Sequence, residues 1–218
     1  MAQIFHPSMK VLSRASIVGA LVIVAVLLLI GGGIYRSGYS TNVGVPREQP
    51  IPFSHEHHVN GLGLRCGYCH TTAEFSPFAG IPATHTCMTC HSQIWNTSPM
   101  LEPVRRSYAT DTPLEWIRVH DLPDFAYFDH SIHVAKGMGC ATCHGSVNVM
   151  PLTMKTHTLQ MKWCLDCHRA PENNIRPREE VYNMSYVPPD NQEEFGLELV
   201  RKYNVKTGQL TDCSICHR

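Results

Sequence analysis

The ten cysteines of this 218-residue chain fall into five pairs: Cys66/Cys69, Cys87/Cys90, Cys140/Cys143, Cys164/Cys167 and Cys213/Cys216. A histidine follows each pair at once, giving His70, His91, His144, His168 and His217. Five C-x-x-C-H motifs thus use every cysteine, and this motif reads as covalent attachment of haem c. The spacing suits the chemistry. Each thiol adds to one porphyrin vinyl group, two intervening residues let both sulfurs reach, and the next histidine binds the iron from the proximal side. Zinc sites and thioredoxin-like pairs also use C-x-x-C, and disulfide frameworks also pair cysteines. None of them needs a histidine after all five pairs.

Five proximal histidines leave five distal positions to fill. The other histidines are His6, His55, His57, His58, His85, His120, His130, His133 and His157. Phe53-Ser54-His55-Glu56-His57-His58-Val59 and Phe128-Asp129-His130-Ser131-Ile132-His133-Val134 both read F-x-H-x-x-H-V. The first histidine of each phrase stands 11 residues before Cys66 and 10 before Cys140, respectively. Two histidines three apart on a helical turn share a side yet diverge, so each can serve a different haem. Neutral imidazole is a standard haem ligand. His55, His58, His130 and His133 are therefore the expected distal ligands. His120 is the expected fifth, with His157, His85, Met154 and Met161 as alternatives; a methionine there would raise that haem's potential. His57 has no counterpart in the second phrase, where Ile132 stands, and reads as a solvent-side residue.

The elements that must position these groups follow from the same spacing. The motifs form two close pairs and a singlet, which suggests an internal repeat. The expected organisation is residues 53–99 and 120–171 as two dihaem units, 100–119 as a linker, and 172–218 as a C-terminal monohaem unit. Regular structure is expected to be sparse: short helices and loops around a haem-packed core. Leu101 to Pro113 reads as part of the linker, and Trp116 to His130 as extended chain. Asp190-Asn191-Gln192-Glu193 resembles a capping box opening a helix whose Phe195, Leu199, Val200 and Tyr203 share a face. Ahead of all this, Ala15 to Tyr35 is 21 residues without a charge. Roughly 20 apolar residues suffice to cross a membrane as a helix. A cleaved secretory signal has a shorter apolar stretch and a small-residue cleavage site, so an uncleaved anchor is expected. Residues 1–14 then form a cytoplasmic N-terminus, which excludes His6 from the ligands, 15–35 the span and 36–52 a tether. Cytochrome c maturation takes place on the outer side of the bacterial cytoplasmic membrane, so the haem domain is expected on the periplasmic side. Lys+Arg and Asp+Glu are balanced at 18 each, and nothing points to nucleic acid.

The H-x-x-H pairs before C-x-x-C-H resemble class III multihaem cytochromes c. A closer resemblance covers almost the whole chain. One N-terminal span is followed by CGYCH, GIPATHTCMTCHSQIW, IRVHDLPDFAYFDHSIHV, MKWCLDCHRAPENN and a terminal CSICH. That order resembles the pentahaem cytochrome c subunit of alternative complex III, a quinol:electron-acceptor oxidoreductase. The resemblance implies five haems c on the ten cysteines. It also implies iron–sulfur and polytopic quinol-handling membrane subunits and a monohaem cytochrome as partners, and relay of electrons to a periplasmic acceptor rather than catalysis by this chain alone. The alternative is a membrane-anchored multihaem quinol dehydrogenase of a nitrate or nitrite pathway. A multihaem enzyme acting on a small molecule would instead need one haem with an open distal position.

Overall fold

The computed structural model describes residues 6–218, and the chain divides between Val43 and Gly44. In the first unit, α1 runs Ser8–Arg36, 29 residues with none buried, and its most apolar 18-residue stretch has a mean hydropathy of 2.9. At 1.5 Å per residue it is about 43 Å long, enough to cross a hydrocarbon core of about 30 Å. Its hydrogen bonds are internal, as such an environment demands. The expected span, residues 15–35, lies inside it. A short helix α2, Gly38–Thr41, stops at Asn42 in the left-handed region (φ 55°), a conformation asparagine tolerates.

The second unit holds α3 (Cys66–Cys69), α4 (Thr84–His91), α5 (Glu102–Thr110), α6 (His130–Ala135), α7 (Cys140–His144), α8 (Met161–Arg169), α9 (Gln192–Lys202) and α10 (Cys213–Cys216). Among the described residues there is no strand, only two isolated bridges, Pro46 with Met154 and Met138 with Ile175. Every C-x-x-C-H motif lies on or at the end of a helical turn (α3, α4, α7, α8 and α10). The reason is geometric. Positions i, i+3 and i+4 share one helix face, so a single turn turns both sulfurs and the histidine toward one ring.

The protein core is small. Its larger cluster joins Ile175, Leu199, Val200 and Tyr203, with Met138, Phe195 and Val205 packed against it. The α9 stripe therefore packs on protein. The capping box does not form: Asn191 makes no side-chain cap bond. Gln192 Nε2 instead donates to the carbonyls of Glu172 (2.8 Å) and Ile175 (2.9 Å). Tertiary acceptors have displaced the local ones.

The second cluster joins Ile51, Leu101 and Val104, with Cys87, Met88, Leu114 and Trp116 around it. Here the structure departs from the linker expected over residues 100–119, because α5 occupies most of Leu101 to Pro113. Pro103 sits in its first turn, where a missing N–H costs nothing. Val104 and Ser107 face inward, and Ser107 Oγ pairs with Thr84 Oγ1 at 2.7 Å. The segment thus braces α4, the helix that carries Cys87, Cys90 and His91. Residues 116–129 run as irregular chain broken by bends and a turn, without strand pairing, and His130, the last residue expected to be extended, opens α6.

Candidate metal centres

Number the centres 1 to 5 by motif order along the chain. In the first F-x-H-x-x-H phrase, His55 stands at the entrance of a π-helical turn, Glu56–Gly61, that carries His58. In the second, His130 and His133 lie on α6. The phenylalanine of each phrase shapes the pair. Phe53 stacks on His58 (centroids 4.5 Å apart, 20° between planes) and meets His55 edge-on at 4.9 Å and 87°. Phe128 does the same to His133 (4.4 Å, 25°) and His130 (4.8 Å, 87°). One aromatic ring per phrase thus holds its two imidazoles in different planes.

Four motif histidines each face one of these rings. His55 and His70 lie 6.5 Å apart with planes 10° from parallel, and His58 and His91 lie 6.2 Å apart at 68°. His130 and His144 lie 6.3 Å apart at 12°, and His133 and His168 lie 6.2 Å apart at 23°. Two imidazoles bound through Nε2 to opposite sides of one metal at about 2.0 Å would hold their centroids about 6.3 Å apart. All four pairs match that span.

The other ring nitrogen is engaged nearly throughout. The Nδ1 atoms of His70, His91, His168 and His217 lie 2.7–3.0 Å from the carbonyls of Gly80, Ile94, Leu210 and Phe125. Those of His58, His130 and His133 lie 2.7–2.8 Å from the carbonyls of Ser54, Pro77 and Asp129. His55 Nδ1 pairs with Thr153 Oγ1 at 3.0 Å. A carbonyl partner fixes the tautomer with N–H at Nδ1 and leaves the Nε2 lone pair for a metal. Burial, with His70 and His58 adding to it, pushes His55 down to about 4. Burial and neighbouring imidazoles, His120 first, push His144 down to about 3. Both rings are neutral at ordinary pH, as ligands must be.

The cysteine surroundings form no zinc site among the described residues. Burial pushes Cys143 up to about 12 and Cys140 up to about 11, so neither is a reactive thiolate on its own. Among the described residues no three His, Cys, Asp or Glu side chains converge as a metal cluster. Cysteine pairs flanked by opposed imidazoles fit thioether-linked haem instead.

The remaining expected residues fall elsewhere. His120 packs against His144, 4.3 Å between centroids at 70°, nearer than any opposed pair. Its Nε2 is buried without a hydrogen-bond partner. No ring pair joins it to His217. His57 stacks on Trp95, His85 tilts against Tyr108 and His157 stacks on Trp163. Met161 is exposed at the start of α8, and Met154 bridges to Pro46. The partners at Nδ1 were not foreseen, since a backbone carbonyl leaves no trace in residue identity. Thr153 and Pro77 are the telling cases: each orients the first histidine of the opposite phrase, His55 and His130 respectively.

These links set which centres adjoin. The turn carrying His55 and His58 joins centres 1 and 2, and α6 joins 3 and 4. Backbone bonds from His130 and Ser131 to Pro77 and Ser76 tie α6 to the loop after centre 1, and His55 and His70 both act on His144. Leu210, just before the fifth motif, holds His168 Nδ1 through its carbonyl, so centres 4 and 5 adjoin.

Residues 126–218 match the family model described as cytochrome c7 and related cytochrome c. The multihaem cytochrome c subunit of a menaquinone reductase from Nitratidesulfovibrio vulgaris (strain Hildenborough) is 36% identical over 99 residues, 45% of this chain and 46% of that one. The chain thus aligns with about half the length of that curated relative. Over residues 126–218 the chain is thus similar to cytochromes c, which hold haem c covalently, and the chain as described has short helices and one N-terminal helix apolar enough to span a membrane.

Proposed function

We propose that this chain is a membrane-anchored pentahaem cytochrome c that relays electrons within a quinol-linked membrane complex. The observation that carries the reading is the set of four opposed imidazole pairs at 6.2–6.5 Å, each in line with a C-x-x-C-H motif. In this reading all ten cysteines form thioethers. His70, His91, His144, His168 and His217 bind iron proximally, and His55, His58, His130 and His133 bind the first four irons distally. The haems supply one-electron exchange. The chain's part is to hold the imidazoles neutral and fixed, so that no ligand rearranges as charge passes. The adjacencies above give the order 2–1–3–4–5, with centres 2 and 5 as the ends where partners exchange electrons.

The anchor keeps the relay at the membrane, with the haem domain on the periplasmic side. Quinone chemistry falls to partner subunits, because one span offers little of the concave, multi-element surface that small-molecule sites need. The phrases noted above favour a complex like alternative complex III, with iron–sulfur, polytopic and monohaem cytochrome partners and flow from quinol outward. The relative's name, a menaquinone reductase, favours a second reading with flow toward the quinone. A linear relay serves either direction. The purified single chain should be reduced fully by dithionite yet show no quinol-dependent turnover. Inhibitor-sensitive quinol oxidation by the chain alone would instead establish a quinol dehydrogenase. In the intact complex, net oxidation of quinol by an external acceptor supports outward flow, and net quinone reduction by a periplasmic donor supports the reverse.

A further inference from the structure

Centre 5 differs from the other four. His70, His91, His144 and His168 each face a second imidazole across 6.2–6.5 Å. The ring beside His217 is Phe125, at 6.0 Å and a 31° tilt, and its backbone carbonyl holds His217 Nδ1 at 2.9 Å. That bond leaves Nε2 for iron, as at the other centres, so His217 is prepared as a proximal ligand. What it lacks, among the described residues, is an opposed histidine.

The histidines outside the four pairs are placed otherwise. His57, His85 and His157 lie against Trp95, Tyr108 and Trp163. His120 lies against His144, within centre 3. His6 precedes the apolar helix. Centre 5 is also open to solvent, as Cys90 of centre 2 is at the other end of the order. Cys213 and Ile215 are exposed, as are Phe125 (64%) and Tyr127 (50%) in the irregular segment whose Tyr127 N–H donates to the Cys216 carbonyl. By contrast, Cys140 and Cys143 of centre 3 are both partly buried.

We propose that the haem held by Cys213, Cys216 and His217 is not bis-histidinyl and has an exchangeable sixth position. This rests on the pentahaem reading. An iron with two imidazoles is saturated and excludes a third ligand, whereas one with a single imidazole and a weak or solvent donor admits small π-acceptors. Carbon monoxide is such a ligand for ferrous iron. Its carbon donates a pair to the metal, the weak donor leaves with its own pair, and no electron is transferred. The exposed end of the relay is therefore also a binding site for neutral diatomic ligands.

The test is a carbon monoxide titration of the dithionite-reduced full chain in detergent, followed by the Soret shift, with the haem content of the same sample measured as pyridine haemochrome. The expected result is one carbon monoxide bound per five haems. A Cys213→Ala/Cys216→Ala double variant should retain four haems and bind none. Five haems with no uptake would overturn the inference and leave the relay standing. Fewer than five haems in the wild-type chain would overturn the relay reading, and this inference with it. Uptake persisting at one per chain in a four-haem double variant would also overturn it, by placing the open iron elsewhere. If the variant does not fold, the wild-type stoichiometry decides.

Discussion

Replacing His130 with Ala is expected to convert one iron per chain from low-spin to high-spin and to raise its potential. His130 stands opposite His144 at 6.3 Å, so its loss leaves that iron with one strong donor. Imidazole stabilises the ferric form more than water does. The rise is expected on the order of 100 mV, within the roughly 0.8 V over which axial ligands set haem potentials. The site also matters for position. In the order 2–1–3–4–5, centre 3 is the middle of the relay, so an altered potential there should divide reduction into a fast and a slow group of haems. The ring's bond to the Pro77 carbonyl is lost as well, a stability cost of about 1 kcal/mol. His57→Ala is the control. That ring stacks on Trp95 and faces no motif histidine, so its variant should keep the wild-type spin state. Electron paramagnetic resonance of the oxidised chain reads both. A His130 variant whose new high-spin signal is absent would exclude His130 as a ligand, and a His57 variant that gains one would put His57 in its place.

Gly196→Ala is expected to destabilise the fold more than any surface change of similar size. On α9 alone the substitution should help, since alanine exceeds glycine in helix propensity by about 1 kcal/mol. Packing reverses the sign. A Cβ at Gly196 would overlap the Glu172 carbonyl oxygen and approach its carbonyl carbon to 2.6 Å. That neighbour is backbone, in the turn Pro171–Asn173, and its carbonyl already accepts Gln192 Nε2. It cannot swing aside as a side-chain tip would. Overpacking of this kind costs about 1–3 kcal/mol, or roughly 2–12 °C in Tm for a chain of this size. Gly208, with no atom within 4 Å of the position its Cβ would take, is the control. Its alanine variant should stay within about 0.5 kcal/mol of wild type. Thermal unfolding followed by Soret circular dichroism measures both, and a Gly196 variant melting at or above wild type would contradict the packing described for α9.

The chemistry was far more legible in the sequence than its wiring. C-x-x-C-H carries its own geometry, because i, i+3 and i+4 converge on one helix face wherever the turn forms. The phrase F-x-H-x-x-H-V likewise announced two histidines that diverge from one turn, although the role of Phe53 and Phe128 as the plates between them appears only in three dimensions. Contacts made by the backbone left no such trace. Pro77, Leu210 and Phe125 matter through their carbonyls, which any residue could supply. His120 shows the limit from the other side. Its place in IRVHDLPDF suggested the fifth iron, yet the chain carries it to His144, because proximity across the fold is not encoded in distance along it. The segment after Leu101 misled for a simpler reason. Lying between the two histidine phrases, it reads as a linker, whereas proline in the first turn starts a helix.

Intact-mass spectrometry of the purified full chain tests most directly whether it carries five covalent haems. The predicted result is a single species whose excess over the polypeptide mass equals five haem groups, with no free thiol among the ten cysteines. A dominant species carrying four or fewer, with alkylatable cysteines at any of the five pairs, would contradict it.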